Sequence, residues 1–174
     1  PRLRRVRGFP AENEDLELYA GYPQQTEDQL IAEARARGER LARQVNRLIE
    51  LGPRVIVATV PDVGLSPYAL AQKAAFTDTD RAALISRLVA AFNGRVRTTI
   101  LNDGRYVGLV LGDEMVQSIA KLPEVFGVTN ATGAVCTTAL PDCTAQTLVE
   151  SGSSAAWLWA DDRHLAYGGQ ARLG

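Results

Sequence analysis

Several features that would assign this 174-residue chain to a broad class are missing from it. No apolar run approaches the roughly 20 residues that a membrane-spanning helix needs, and no apolar segment follows the basic start Pro1–Arg5 as it would in a signal peptide. The formal net charge is only −1, which gives no general attraction to nucleic acid or to an anionic membrane. We therefore interpret the basic cluster Arg2–Arg7 as a solvated terminus and expect neither a nucleic-acid partner nor a transmembrane segment.

Motifs for common cofactors are also missing. The sequence contains no phosphate loop, no dinucleotide-binding glycine fingerprint and no set of residues spaced as metal ligands. A metal site built on Asp161, Asp162 and His164 is a weak alternative, because three ligands on one short loop rarely converge without a fourth from elsewhere. We expect this chain to use no cofactor and no metal.

Cysteine is scarce, with Cys136 and Cys143 as the only two. They lie seven positions apart in a stretch rich in threonine, glycine and proline, without the further ligands that a metal site needs. A local disulfide is the favoured interpretation, and two buried free thiols are the alternative. A disulfide indicates an oxidising compartment, so we expect a secreted, periplasmic or cell-surface protein.

Apolar patterning predicts an α/β domain with a parallel sheet. Thr26 and Gln29 have capping-box spacing before a helix that Gly52-Pro53 ends, and the β-branched run Val55–Val60 is typical of a strand covered on both faces. Residues 1–25 lack periodicity and are interpreted as an irregular arm. The later predictions are a capping box at Thr77–Asp80 with a helix after it, a strand at Val107–Leu111, a helix at Asp113–Leu122, a long loop over 123–146, a strand at Ala155–Trp159 and a terminal helix from Ala166 to Leu173. Because a parallel sheet of only two or three strands cannot cover both of its faces well, we expect the sheet to continue in residues outside this sequence. The pattern also predicts that the terminal helix is cut short.

The single histidine, His164, follows the last predicted strand. Ligands of open α/β sheets bind at the carboxyl ends of strands, so a histidine there is well placed for general-base chemistry. Asp161, three residues earlier, can fold back to the Nδ1–H and fix the tautomer of the ring. Asp162 is the rival carboxylate, and an ordinary surface histidine with an acidic neighbour is the alternative to a catalytic pair.

Ordered elements around this histidine carry a family resemblance. They are Val60-Pro61-Asp62-Val63-Gly64-Leu65-Ser66-Pro67, Phe92-Asn93, Asn102-Asp103-Gly104, Pro123 with Phe126-Gly127-Val128-Thr129-Asn130-Ala131-Thr132 and Cys136, and Asp161-x-x-His164. In this order they resemble the C-terminal half of SGNH/GDSL-type serine esterases and lipases, most closely bacterial secreted and autotransporter esterases. The resemblance covers roughly residues 26–174, so the chain would consist of an arm at 1–25 and the C-terminal half of one hydrolase domain.

The resemblance implies a three-layer, flavodoxin-like α/β/α fold and hydrolysis of carboxylic esters. In such enzymes histidine takes the proton of a serine hydroxyl and aspartate positions the histidine, roles that fall on His164 and Asp161. The family nucleophile lies in a Gly-Asp-Ser motif, which this sequence does not contain. Because an acyl transfer needs a nucleophile, the serine is expected on an N-terminal segment that is missing or separate, as in a processed or shortened enzyme.

Two alternatives stay open. The chain could be a non-catalytic relative of the same fold that binds carbohydrate or a protein partner.

Trp157 and Trp159 share one face of the last predicted strand. Core packing is their default interpretation, and the alternative is that they line a substrate pocket near His164.

Overall fold

A computed structural model describes residues 16–173. The basic cluster Arg2–Arg7 and most of the expected arm lie outside these residues, while residues 16–19 are helical and not irregular. The helices are α1 (Glu27–Glu50), α2 (Pro67–Ala75), α3 (Arg81–Thr99), α4 (Gly112–Lys121) and α5 (Tyr167–Ala171). The strands are β1 (Val55–Ala58), β2 (Val107–Val110), β3 (Asn130–Ala134) and β4 (Trp157–Trp159). No helix within the described range is both long and apolar enough to cross a membrane.

The chain divides into two compact units. One contains the described residues up to Val60 together with Leu84–Leu111, and the other contains Pro61–Ala83 together with the described residues from Gly112 onward. Each unit has its own two-stranded parallel sheet, β1 with β2 and β3 with β4. The predicted α/β class with parallel strands is therefore confirmed, although the strands form two short sheets.

Helix α1 in the first unit begins where the capping box predicts. The Thr26 hydroxyl oxygen accepts the main-chain N–H of Gln29 at 3.3 Å, and the Gln29 side chain accepts the N–H of Thr26 at 2.9 Å. These two bonds satisfy N–H groups that have no partner inside the helix. The buried residues lie three or four positions apart, which gives the helix a single apolar stripe: Leu30, Ala34, Gly38, Ala42 and Val45.

A side-chain amide binds the main chain just beyond strand β1. Asn93 on α3 is fully buried; its Oδ1 accepts the N–H of Val60 at 2.9 Å, and its Nδ2 donates to the Val60 carbonyl at 2.8 Å. The main chain at Val60 therefore bonds to a side chain, and the ladder with β2 ends at the pair Ala58–Val110. The strand predicted over Val55–Val60 is accordingly two residues shorter.

One face of the β1–β2 pair is uncovered. Val57 is 8% exposed, whereas Ile56 on the opposite face is 70% exposed, and Ala58 beside it is exposed as well. The prediction that this strand is covered on both faces is therefore wrong for the residues described. Pattern alone indicated full burial because the run is continuously apolar, but burial requires a second layer of side chains that the described residues of the first unit do not supply.

Helix α2 in the second unit was not predicted. Ser66 is its N-cap, with a hydroxyl that accepts the N–H of Ala69 at 3.3 Å, and Pro67 occupies the first helical position. A serine followed by proline is a recognised helix start, so the sequence does contain a signal for this helix. The next helix, α3, begins later than the predicted box, because the Asp80 carboxylate caps Ala83 at 3.0 Å.

The segment 123–146 is not a plain loop. It contains β3, which pairs in parallel with β4, and short 3-10 turns at Pro123–Phe126 and Ala145–Thr147. Strand β3 has the sequence Asn-Ala-Thr-Gly-Ala, which has no apolar alternation to reveal a strand. Helix α4 matches its prediction closely. Helix α5 ends at Ala171, two residues before the predicted end at Leu173. The core around these elements contains Val116, Ile119, Val128, Leu158 and Trp159.

Candidate functional site

The loop that follows β4 brings Asp161 and His164 into direct contact. The ring Nδ1 of His164 lies 2.9 Å from Oδ1 and 2.8 Å from Oδ2 of Asp161. The carboxylate side chain is 12% exposed and the imidazole 42%. One member of the pair is thus largely protected from water while the other reaches the surface.

Local sequence dictates this geometry. The Asp161 Oδ1 atom also accepts the main-chain N–H groups of Arg163 at 3.0 Å and His164 at 2.8 Å, a turn that aspartate side chains commonly form. The Ala160 N–H donates to the His164 carbonyl at 2.7 Å. The spacing of three residues therefore folds the histidine back over the aspartate that precedes it.

Electrostatics fix the proton arrangement of the pair. Burial alone would raise the pKa of Asp161, but hydrogen bonds from the N–H groups of Arg163 and His164 and from the His164 ring outweigh it, so this pKa is lowered. An ionised carboxylate only accepts hydrogen bonds. In the neutral ring, the proton that bonds an ionised carboxylate lies on Nδ1, and the lone pair then lies on Nε2.

The rival carboxylate, Asp162, is engaged elsewhere. It accepts hydrogen bonds from Nε and Nη2 of Arg163, each at 2.9 Å, and this pairing raises the pKa of the guanidinium. The Arg163 guanidinium carbon also lies 5.5 Å from the centre of the Tyr68 ring. Sequence reasoning did not single out Tyr68 or Arg163, because nothing in the pattern places the start of α2 beside this loop.

No serine in the described part of the chain is hydrogen-bonded to His164. Ser66 is fully buried and caps α2, and the Ser118 hydroxyl donates to the Glu114 carbonyl at 2.7 Å. The Nε2 atom of His164 makes no hydrogen bond to any of residues 16–173. Within the described residues, the imidazole is therefore bonded only to Asp161.

The two tryptophans differ in their surroundings. Trp159 is fully buried, and its indole Nε1 donates to the Ala131 carbonyl at 2.9 Å, which supports the core-packing interpretation for this residue. Trp157 is only partly buried and packs against Val135, Ala160 and Ala166. Of the two, Trp157 alone has surface that a substrate could contact.

The predicted disulfide between Cys136 and Cys143 is confirmed, with Cα atoms 5.7 Å apart. It closes a loop directly beside the Asp161–His164 pair, because the Cys136 N–H donates to the Ala160 carbonyl at 2.8 Å. The covalent loop and the histidine loop are therefore joined through the residue that precedes Asp161.

The described residues contain no set of side chains arranged as metal ligands. Within residues 16–173, no group of three or more His, Cys, Asp or Glu side chains is arranged to hold an ion. The third residue of the weak alternative, Asp162, directs both carboxylate oxygens at Arg163. The loop is built for an aspartate–histidine pair and an aspartate–arginine pair.

No protein-family model matches this chain, and no curated protein matches it by sequence.

Proposed function

We propose that this chain is the base-bearing half of a carboxylic ester hydrolase of the SGNH/GDSL type, an esterase or lipase that acts through a Ser-His-Asp triad. His164 is the base, Asp161 orients it, and the serine lies on an N-terminal segment outside this sequence. The observation that carries the proposal is the contact of the His164 Nδ1 with the buried Asp161 carboxylate at 2.8 Å, by an imidazole side chain that is itself 42% exposed.

The proposed reaction is a two-step acyl transfer. His164 Nε2 takes the proton of the serine hydroxyl as the serine oxygen attacks the ester carbonyl, and the imidazolium then returns this proton to the departing alkoxide. Water next attacks the acyl-serine with His164 again as base, which releases the carboxylic acid and restores the serine. Asp161 stays ionised throughout and stabilises the imidazolium, a task that suits its lowered pKa.

An additional segment would also account for the exposed apolar face of the β1–β2 sheet. Ile56 presents a large apolar side chain to solvent at 70% exposure, which is unusual in the middle of a parallel strand. We propose that the segment with the nucleophile covers this face and completes a three-layer α/β/α arrangement.

The disulfide indicates the compartment in which this chemistry would take place. A bond between Cys136 and Cys143 persists in oxidising surroundings and is rare in the cytosol. We therefore propose that the enzyme acts outside the cytoplasm, as a secreted, periplasmic or cell-surface protein.

A fluorophosphonate probe, which reacts with activated serines, tests the proposal on material purified from its natural source. We expect denaturing mass spectrometry to find the label on a polypeptide segment that accompanies this chain. The His164→Ala variant should abolish labelling and lower ester turnover by about 10³-fold or more. The exposed Asp142→Asn variant, in the disulfide loop, is the matched control and should react like the wild type.

Two results would contradict the proposal. The first is an intact labelled serine together with a His164→Ala variant that keeps a tenth or more of the turnover. The second is a complete gene without a Gly-Asp-Ser element and a sample that takes no label, which would favour the alternative of a non-catalytic binding relative.

A further inference from the structure

The middle of the histidine loop is attached to the first turn of α2. The main-chain N–H of Tyr68, the second residue of that helix, donates to the Asp162 carbonyl at 2.8 Å. First-turn N–H groups of a helix have no partner within it. Here one of them holds the loop at the residue directly after Asp161.

A side-chain contact reinforces this attachment. The Arg163 guanidinium carbon lies 5.5 Å from the centre of the Tyr68 ring, within the range of a cation–π interaction. Two hydrogen bonds of 2.9 Å to the Asp162 carboxylate hold the planar guanidinium in place. Since the Arg163 side chain is 38% exposed, the ring contact and the two hydrogen bonds together restrict a group that would otherwise sample many conformers.

The main chain of Arg163 connects its restricted side chain to the Asp161–His164 pair. The N–H of Arg163 donates to Asp161 Oδ1 at 3.0 Å, and the same oxygen contacts the His164 ring at 2.9 Å. If the Arg163 peptide turns, the carboxylate loses a donor that sets its orientation. The orientation of the carboxylate determines where the Nδ1–H of the imidazole can bind.

We propose that Tyr68 and Arg163 are positioning residues for the Asp161–His164 pair, with the ring of Tyr68 as the platform and Arg163 as the strap that holds the loop against it. This assignment rests on the proposed function as far as catalysis is concerned. The geometric part, that the Tyr68–Arg163 contact sets the tautomer of His164, can be tested without any ester substrate.

The test uses the fact that the chain has a single histidine. In ¹⁵N-labelled protein at a pH where the ring is neutral, the two imidazole nitrogen shifts report the fraction with the proton on Nδ1. We expect Nδ1–H to dominate in the wild type and to decrease in Tyr68→Leu and in Arg163→Gln, toward the value in Asp161→Ala. Because the two residues act through one contact, the double variant should lose little more than either single variant.

Two controls separate positioning from general damage. Tyr68→Phe keeps the aromatic platform and should retain the wild-type tautomer. Tyr167→Leu makes the same change as Tyr68→Leu at a tyrosine that is 72% exposed and close to His164 in sequence, and it should also leave the tautomer unchanged.

A wild-type Nδ1–H fraction in a folded Tyr68→Leu or Arg163→Gln variant overturns the proposal, as does an equal loss in Tyr167→Leu. If Tyr68→Leu does not fold, Arg163→Gln alone decides, since it changes a partly exposed side chain. Failure of the ester-hydrolase proposal is recognised separately by the absence of fluorophosphonate labelling, and it leaves the tautomer result intact.

Discussion

The Asp161 carboxylate contacts both the main-chain N–H and the imidazole ring of His164. Oδ1 of the aspartate accepts the histidine N–H at 2.8 Å while Oδ2 lies 2.8 Å from the ring Nδ1. The carboxylate thus fixes the start of the histidine backbone and the rotation of its ring together. Asparagine at this position has an uncharged amide, and its NH2 group, in place of Oδ2, cannot accept the Nδ1–H of the ring.

This arrangement predicts an acid-dependent contribution to stability. The pKa of Asp161 is lower in the folded chain than in the unfolded one. Its stabilising effect is therefore fully present above the ordinary aspartate value of about 3.9 and is lost as the pH falls through the lower folded-state value. We expect Asp161→Asn to be less stable than the wild type at neutral pH, with a difference that narrows in acid. Urea unfolding of both proteins at pH 7 and at about pH 3 measures this difference, and an unchanged gap would contradict the assignment.

Two glycines in helices should respond to alanine in opposite ways. A Cβ on Gly38 of α1 would lie 2.3 Å from the Phe92 carbonyl oxygen, whereas a Cβ on Gly94 of α3 would meet nothing within 4 Å. We expect Gly38→Ala to destabilise the protein by about 1–3 kcal/mol through overpacking. Gly94→Ala should stabilise it by about 0.5–1 kcal/mol, because alanine is the better helix former.

Thermal unfolding of the two glycine variants gives the comparison directly. Each is the control for the other, since the chemical change and the type of element are the same. A stabilised Gly38→Ala protein would show that the two helices do not approach as closely as described.

Arg172, directly after α5, is expected to contribute strongly to stability. Its guanidinium donates to four main-chain carbonyls, at 2.7 Å to Phe126, 2.5 Å to Gly168, 3.3 Å to Ala155 and 3.4 Å to Gly127. Removal of the side chain leaves these acceptors without their donor. We expect Arg172→Ala to lower the free energy of unfolding by about 1–3 kcal/mol.

The matched control for Arg172 is Arg105→Ala. Arg105 forms an ion pair with Asp103, and both side chains are well exposed. Exposed pairs of this kind contribute roughly 0–1 kcal/mol, so the variant should unfold close to the wild type. Equal losses in the two variants, measured by urea denaturation, would argue against a special role for the carbonyl contacts.

Loss of the disulfide should lower stability by a moderate amount. Cys136 and Cys143 are separated by seven positions, and for a loop of this length the chain-entropy relation gives about 2 kcal/mol. We expect the Cys136→Ser/Cys143→Ser double variant to be destabilised by this amount. A reductant should destabilise the wild type similarly and leave the double variant unchanged; a wild type that ignores full reduction would show that the bond does not stabilise the fold.

Much of the local structure could be predicted from the sequence. The Thr26 capping box, the helix after it and the Asp161–His164 contact depend on residues three or four positions apart, so the chain encodes them within one turn. The disulfide was predictable because two cysteines leave one intramolecular pairing. The start of helix α2 is also encoded locally, by Ser66 as N-cap and Pro67 at the first helical position.

Other features were decided only by the tertiary structure. The hydrogen bonds of Asn93 with Val60 and of Tyr68 with Asp162 join positions far apart in sequence. No periodic pattern indicates which distant segment a polar group will contact. Strand β3 has small and polar residues, so its pairing with β4 depends on the partner rather than on its own propensity. The uncovered face at Ile56 follows the same principle: an apolar run states that a strand prefers burial, but only the surrounding layers determine whether burial occurs.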